Sequence, residues 1–223
     1  MKFRHEIKHE ITLADRLELS LRLGAVMRRD EHGENGKYVI RSLYFDTLSD
    51  RALMEKIDGV NKREKFRVRM YNANADFIRL EVKRKINGLT NKESASVSKD
   101  EVSRIIAGDT AWMKDNENAL IQELYRKMEF DGLKPRTIVE YTREAFVYEA
   151  GNVRVTLDYD IRSGVTSTDF LNENVSIVPV WENRALLEVK WDEFLPDFIR
   201  DAVYIDGRRG HAFSKYAQAR IFG

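Results

Sequence analysis

Residues 64–85, EKFRVRMYNANADFIRLEVKRK, constrain this chain more than any other stretch. Lys65, Arg67 and Arg69 alternate with Phe66, Val68 and Met70; beyond the turn-like YNANAD, Glu81, Lys83 and Lys85 alternate with Leu80 and Val82. Side chains two apart on a strand share a face. Pairing the two runs as a hairpin across residues 72–76 gives one apolar face and one with at least five cations around a single carboxylate. Such a face wants an anion, although the same alternation describes any half-exposed antiparallel sheet.

The remaining segments supply more faces of this kind. Residues 3–11 set Phe3, His5, Ile7, His9 and Ile11 against Arg4, Glu6, Lys8 and Glu10, a strand pattern with Lys8 on its charged side. Residues 14–27 read as a helix with Leu17 and Leu21 marking its apolar face, and 38–46, YVIRSLYFD, as a strand. Helices are expected over 48–57, 99–107 and 116–128, and a polar turn after Lys85 leads into a short extended piece. After a break at 132–135 come three strands: 136–148 with Tyr141 and Arg143 on one face, 152–160 with Arg154, Thr156 and Asp158, and 185–191 with Glu188 and Lys190. A helix over 195–204 precedes a glycine-marked loop and a last helix, for which Ser214 is a good N-cap and Lys215 a first-turn residue. Lysine there opposes the helix dipole, which suits either a shared anion or plain solvation.

Six strands with one mixed-charge face, separated by helices, make an α+β protein whose charged faces meet only if the antiparallel sheet curves strongly or closes into a barrel. Lys8, Arg67, Arg69, Lys83, Arg143 and Arg154 would then line its inside, with Glu6, Glu81, Asp158 and Glu188 as the carboxylates on those faces. Enclosing so many cations demands carboxylates, water or a polyanion. Arginine grips phosphate bidentately and lysine meets it as a point charge, so a chain of phosphates fits. A lone carboxylate among phosphates suits Mg²⁺ or Mn²⁺, and Glu188 is the choice for that metal, although taken alone it reads first as an ion-pair partner of Lys190 or a neighbouring arginine.

With 38 Lys+Arg against 37 Asp+Glu, any anion site is a local cluster, and bulk nucleic-acid binding is disfavoured. The 223 residues carry no linker-like or low-complexity run, so one domain over 1–223 is expected. Neither a secretory h-region nor a membrane-length apolar run is present, and cysteine is absent, so a soluble cytoplasmic protein is expected. There is no phosphate-binding GxxxxGK[ST] loop or dinucleotide GxGxxG turn. His5, His9, His32 and His211 are scattered and read as structural or surface residues.

The order of FRHEIKHE, SLYFDT, KFRVRMY, LEVKRK, Tyr141-Thr142-Arg143, VRVTLD, LLEVKW and SKYAQA resembles the VTC domain, the polyphosphate-polymerase domain of the triphosphate tunnel metalloenzymes, in its bacterial stand-alone form. The resemblance implies a closed antiparallel tunnel of about eight strands with surrounding helices and a C-terminal plug helix. It implies a polymerase that moves the terminal phosphoryl group of ATP onto polyphosphate, with orthophosphate as another possible acceptor and Mn²⁺ or Mg²⁺ as cofactor. Carried over onto this sequence, Lys8, Arg67, Arg69, Lys83, Tyr141, Arg143, Arg154, Ser214 and Lys215 bind the phosphates, Lys8 and Lys215 act in catalysis, and Glu188 holds the metal. Lys92 or Ser96 stands where another phosphate ligand is expected, in an open register. Glu6-x-Lys8-x-Glu10 departs from the ExExK of the hydrolase and cyclase branches. Triphosphate hydrolysis and non-catalytic polyphosphate or nucleotide binding remain the alternatives, and product export would require a separate membrane partner.

Overall fold

The computed structural model describes residues 4–31, 33–87, 89–207, 210 and 212–223. His32 and His211, and the start of the first expected strand at Phe3, lie outside them. In chain order the elements are β1 (His5–Thr12), α1 (Leu13–Val26), β2 (Arg28–Arg29), β3 (Lys37–Asp46), α2 (Arg51–Ile57), β4 (Arg63–Tyr71), β5 (Asn74–Ile86), β6 (Leu89–Val97), α3 (Lys99–Ala107), α4 (Ala119–Phe130), β7 (Lys134–Tyr148), β8 (Val153–Ser163), β9 (Val178–Pro179), β10 (Arg184–Trp191), α5 (Asp197–Ala202) and α6 (Lys215–Phe222). They form two compact units, each assembled from separate stretches of chain.

The first unit comprises residues 1–39, 141–161 and 181–213. Its ladder runs β1–β10–β8, all antiparallel, with Lys8 opposite Glu188 and Glu188 opposite Thr156. Ile11, Val155, Leu157, Leu187 and Val189 turn to the other face and pack with Leu19 and Leu23 of α1 and Ile199 of α5. Thr12 caps α1 in a reciprocal capping box with Asp15. The buried side of this helix is Leu19 and Leu23, while Leu17 and Leu21 are exposed, the reverse of the face expected from sequence.

The second unit comprises residues 40–140, 162–180 and 214–223. Here β3, β4, β5 and β6 pair in sequence, each antiparallel to the next. The β4–β5 turn is tighter than expected: Tyr71 faces Asn74, and Asn72 and Ala73 both take positive φ, at 49° and 55°. That is the two-residue turn whose twist matches a hairpin. Phe66, Val68, Met70, Leu80, Val82 and Ala95 fill a core with Val102 and Ile105 of α3 and Leu120, Ile121 and Leu124 of α4. The short extended piece expected after Lys85 is a full nine-residue strand, β6.

The fold is thus α+β with antiparallel ladders, as expected. The closed barrel is not what the ladders show. Among the described residues, β1 has β10 as its strand neighbour and β6 has β5, so both are terminal strands in the hydrogen-bonded order. The described helices include none long and apolar enough to cross a membrane.

Candidate functional site

Each unit carries a polar sheet face opposite its core. In the second unit, four strands build it row by row, because residues directly opposite in antiparallel ladders share a face. One row is Lys65, Lys83 and Lys92; the next is Tyr44, Arg67, Glu81 and Ser94; the third is Ser42, Arg69, Arg79 and Ser96. The register of β6 thus places Lys92, with Ser96 two rows away.

Glu81 lies at the centre of this face. Its Oε2 accepts from Arg67 Nε at 2.8 Å and Oε1 from Lys92 Nζ at 2.9 Å, and Arg69 Nη1 stands 3.7 Å away. Burial pushes its carboxyl up, but the charges of Arg67, Arg69 and Lys92 outweigh burial and hold it far below the usual carboxylate range. Tyr44 receives a hydrogen bond from Arg67 Nη1 at 3.0 Å. Burial raises its phenol, yet Arg67, Arg69 and Lys215 together bring it below its ordinary value. The hydroxyl therefore sits in a field that would favour an anion.

Helix α6 is fixed to the same face from below. Ser214 caps it, its Oγ accepting from Ala217 N at 3.3 Å while also receiving Lys65 Nζ at 3.1 Å. Tyr216 donates to Asp46 Oδ2 at 2.5 Å, and the Asp46 carboxylate also accepts the amides of Ala52 and Leu53 at the start of α2. Burial and the bond to Asp46 keep the Tyr216 phenol well above its usual value, so it remains a donor. Burial, then Lys56 and Arg63, bring Lys65 down to about 7, with Asp46 pulling the other way. Lys215, the first residue of α6, is buried. Among the described residues, this side sets the cations of Lys65, Arg67, Arg69, Arg79, Lys83, Lys92 and Lys215 against the carboxylates Glu81 and Asp46.

The first unit is balanced differently. Lys8 Nζ lies 3.1 Å from Glu188 Oε1, and Lys190 Nζ 2.8 Å from Glu188 Oε2 and 3.3 Å from Glu6. Arg143 grips Asp158 with both prongs, at 2.6 and 2.7 Å, its guanidinium over the Tyr141 ring and 3.9 Å from Glu188. Arg154 bonds Asp30 and, at 2.9 Å, the Tyr38 hydroxyl. Lys8, Lys190, Arg143 and Arg154 are thus met by Glu188, Glu6, Asp158 and Asp30. The excess of cations over carboxylates expected around the enclosed charged faces is not found among these pairs of the first unit.

The family model of the VTC domain matches residues 3–221 of this chain. The chain belongs to the VTC domain family. No curated protein sequence matches it. Among solved structures, a proposed adenylate cyclase from Bacillus halodurans is 15% identical, covering 85% of this chain and 82% of the other with a TM-score of 0.47. A second proposed adenylate cyclase, from Vibrio parahaemolyticus, is 10% identical, covering 90% and 82% with a TM-score of 0.43. The Mediator head module of Schizosaccharomyces pombe is 8% identical, covering 90% and 89% with a TM-score of 0.50. At such identities, likeness concerns the fold alone.

Within this VTC domain the residues expected from sequence fall into two groups. Arg67, Arg69, Lys83, Ser214 and Lys215 belong to the second unit, and Lys8, Tyr141, Arg143, Arg154 and Glu188 to the first. The sequence reading passed over Tyr44, Asp46, Tyr216 and Asp30. Tyr44 and Asp46 follow the period of two along β3, which could have signalled them, whereas Asp30 stands beyond a two-residue strand where no periodicity exists. His5 stacks on Trp191 with ring centroids 5.2 Å apart, and His9 bridges to Gly210 through the backbone, both structural settings.

For a metal, the described residues gather no group of three His, Cys, Asp or Glu side chains. Glu188 offers one buried carboxylate, with a lysine on each oxygen. One carboxylate fits Mg²⁺ or Mn²⁺ when phosphate oxygens and water complete the shell, and does not fit an all-protein site.

Proposed function

We propose that residues 1–223 act as one VTC domain and elongate polyphosphate from ATP in the cytoplasm. In this reaction an oxygen of the acceptor's terminal phosphate forms a bond to the γ-phosphorus of ATP. The bond from that phosphorus to the β–γ bridging oxygen breaks, and ADP departs with the electron pair. Positioning and charge neutralisation carry such a transfer without a covalent nucleophile. The observation that carries this reading is the four-stranded face of the second unit, where, among the described residues, the cations of Lys65, Arg67, Arg69, Arg79, Lys83, Lys92 and Lys215 share a side with Glu81 and Asp46.

Arg67, Arg69, Lys83 and Lys92 hold the phosphates of the chain, with Tyr44 turned toward them by Arg67. The catalytic roles are assigned to Lys215 of the second unit and Lys8 of the first. Tyr141, Arg143, Arg154 and Ser214 orient the phosphates or the residues that touch them. Glu188 would hold Mn²⁺ or Mg²⁺ jointly with phosphate oxygens and so supply charge neutralisation, while Lys8 and Lys190, which stand on its two oxygens, would offer N–H donors to phosphate.

The purified chain incubated with ATP and Mn²⁺, with products resolved by gel and by free-phosphate assay, tests the reading. Long polyphosphate chains are expected. Orthophosphate alone would make the protein a triphosphate hydrolase, and neither product, with tripolyphosphate still bound, would make it a binding module.

A further inference from the structure

Thr156 stands apart from its neighbours on the first unit's polar face. The residue is 1% exposed, and its Oγ1 has no hydrogen-bond partner among the described residues. Buried hydroxyls are almost always bonded, and leaving one unmade costs stability. The site does not lack acceptors nearby: β8 sets Thr156 directly opposite Glu188, and Asp158 follows two residues on along the same face. Both carboxylates are already engaged, Glu188 by Lys8 and Lys190 and Asp158 by the two prongs of Arg143.

The groups that share this face therefore present N–H donors whose carboxylates are committed, plus one hydroxyl with a proton to give. Neither carboxylate takes the Thr156 hydroxyl, so its acceptor has to come from another group. A phosphoryl oxygen is acceptor-only and ionised, and it takes bonds from hydroxyl, ammonium and guanidinium alike. A plain strand-former would explain the β-branched side chain, but valine would serve that purpose without a buried hydroxyl.

We infer that Thr156 Oγ1 donates a hydrogen bond to a non-bridging oxygen of the bound phosphate chain, making Thr156 a phosphate-binding residue beside Lys8 and Arg143. This rests on the reading of the protein as a polyphosphate-binding VTC domain and extends it to an uncharged contact. Such a contact fixes the position of one phosphate without adding to the field. Unlike the lysines, it is not weakened by salt screening.

The experiment is calorimetric titration of tripolyphosphate, with chelator and then with Mn²⁺, into wild type, Thr156→Val and Thr156→Ser, beside ligand-free thermal melts. Thr156→Val should melt at or above the wild-type temperature, because it removes an unbonded hydroxyl at nearly constant shape. It should bind tripolyphosphate about tenfold to a hundredfold more weakly with chelator present, the range of a hydrogen bond to a charged partner. Thr156→Ser should recover most of that affinity. If Thr156→Val does not fold, Thr156→Ala takes its place in the same titration.

Binding by the valine variant equal to wild type overturns the assignment while leaving the polyphosphate reading intact. So does a loss confined to samples with Mn²⁺, which would give the hydroxyl to the metal, or a serine variant as weak as valine, which would make the effect one of packing. If wild type itself binds no tripolyphosphate, the proposed function fails and takes this assignment with it.

Discussion

Lys65 and Ser214 are joined by a 3.1 Å hydrogen bond from the lysine ammonium to the hydroxyl that caps α6. A residue of the cationic sheet face thus holds the first turn of the helix that carries Lys215. The same Lys65 is the cation of this face that burial brings down to about 7. The charge of this face and the capping of α6 are therefore linked through one protonation.

The sign of that linkage is set by the depressed value. The unfolded chain keeps Lys65 protonated up to about 10.4, while the folded protein releases the proton near 7, so the burden is complete below about 7 and fades as pH rises toward the unfolded value. Thermal melts of Lys65→Met should show a flatter rise between pH 7 and 9 than wild type, with the variant a few degrees more stable at pH 6.5. Tripolyphosphate should draw a proton onto Lys65, so calorimetry at pH 8 in buffers of different ionisation enthalpy should report proton uptake that the variant lacks. Parallel melting curves and equal uptake would contradict the assignment.

Arg67 and Arg69 should both be needed for binding yet differ in stability. Removing one of several like charges relieves repulsion in an unpaired cluster, but Arg67 is bonded to buried Glu81 and to Tyr44. Arg67→Ala should cost about 3 kcal/mol by stripping a buried carboxylate of its main partner. Arg69→Ala, whose bond to Ser42 is 3.4 Å and whose distance to Glu81 is 3.7 Å, should cost less than half of that. Denaturant unfolding gives the ranking, and a ligand-induced shift in melting as large as wild type's in either variant would remove it from the site.

Glu188→Gln should lose metal-dependent turnover and still bind tripolyphosphate at least as tightly as wild type. The amide no longer anchors a divalent ion, while Lys8 and Lys190 are released from a charged partner. A Mn²⁺ titration of activity, beside binding with chelator present, decides it; equal activity of the two proteins would end the metal role.

Lys215→Ala should lower turnover far more than affinity. One cation of seven on its side adds little to ground-state binding, but a charge-assisted contact to the phosphoryl group in transit is worth about 2–4 kcal/mol, or about 30- to 1000-fold in rate. Steady-state kinetics would show kcat and kcat/KM falling together. A near-normal kcat with a tenfold weaker Kd would make Lys215 one more clamp.

Much of this arrangement was legible because strands announce themselves by a period of two. That Lys65, Arg67, Glu81 and Lys83 share a face follows from that alternation, although their row-by-row register also depends on the irregularity between Arg69 and Tyr71; Ser214 as a cap follows from its side-chain chemistry. What stayed hidden depended on contacts between distant segments. The leucines of α1 recur every second residue from 17 to 23, and a helix buries only one i, i+4 pair of them, so sequence alone offered two equal faces. The register of β6, and hence Lys92, was available from Asn87-Gly88, a two-residue hairpin signature in the sequence, but reading that stretch only as a polar turn leaves it unused. Asp30, the partner of Arg154, follows no pattern at all, which is why the first unit looked richer in uncompensated charge than it is.

The pairing of β4 with β5 and β6 also has a temporal meaning. These strands are successive in the chain and meet through short turns, whereas β1 has to wait for β10, which is made near the end of synthesis. Local pairings form faster than those that close long loops. On the ribosome, then, the basic hairpin and β6 can pair while Lys8 has yet to meet Glu188, and the nascent chain carries that cationic face before the ladder of the first unit can close.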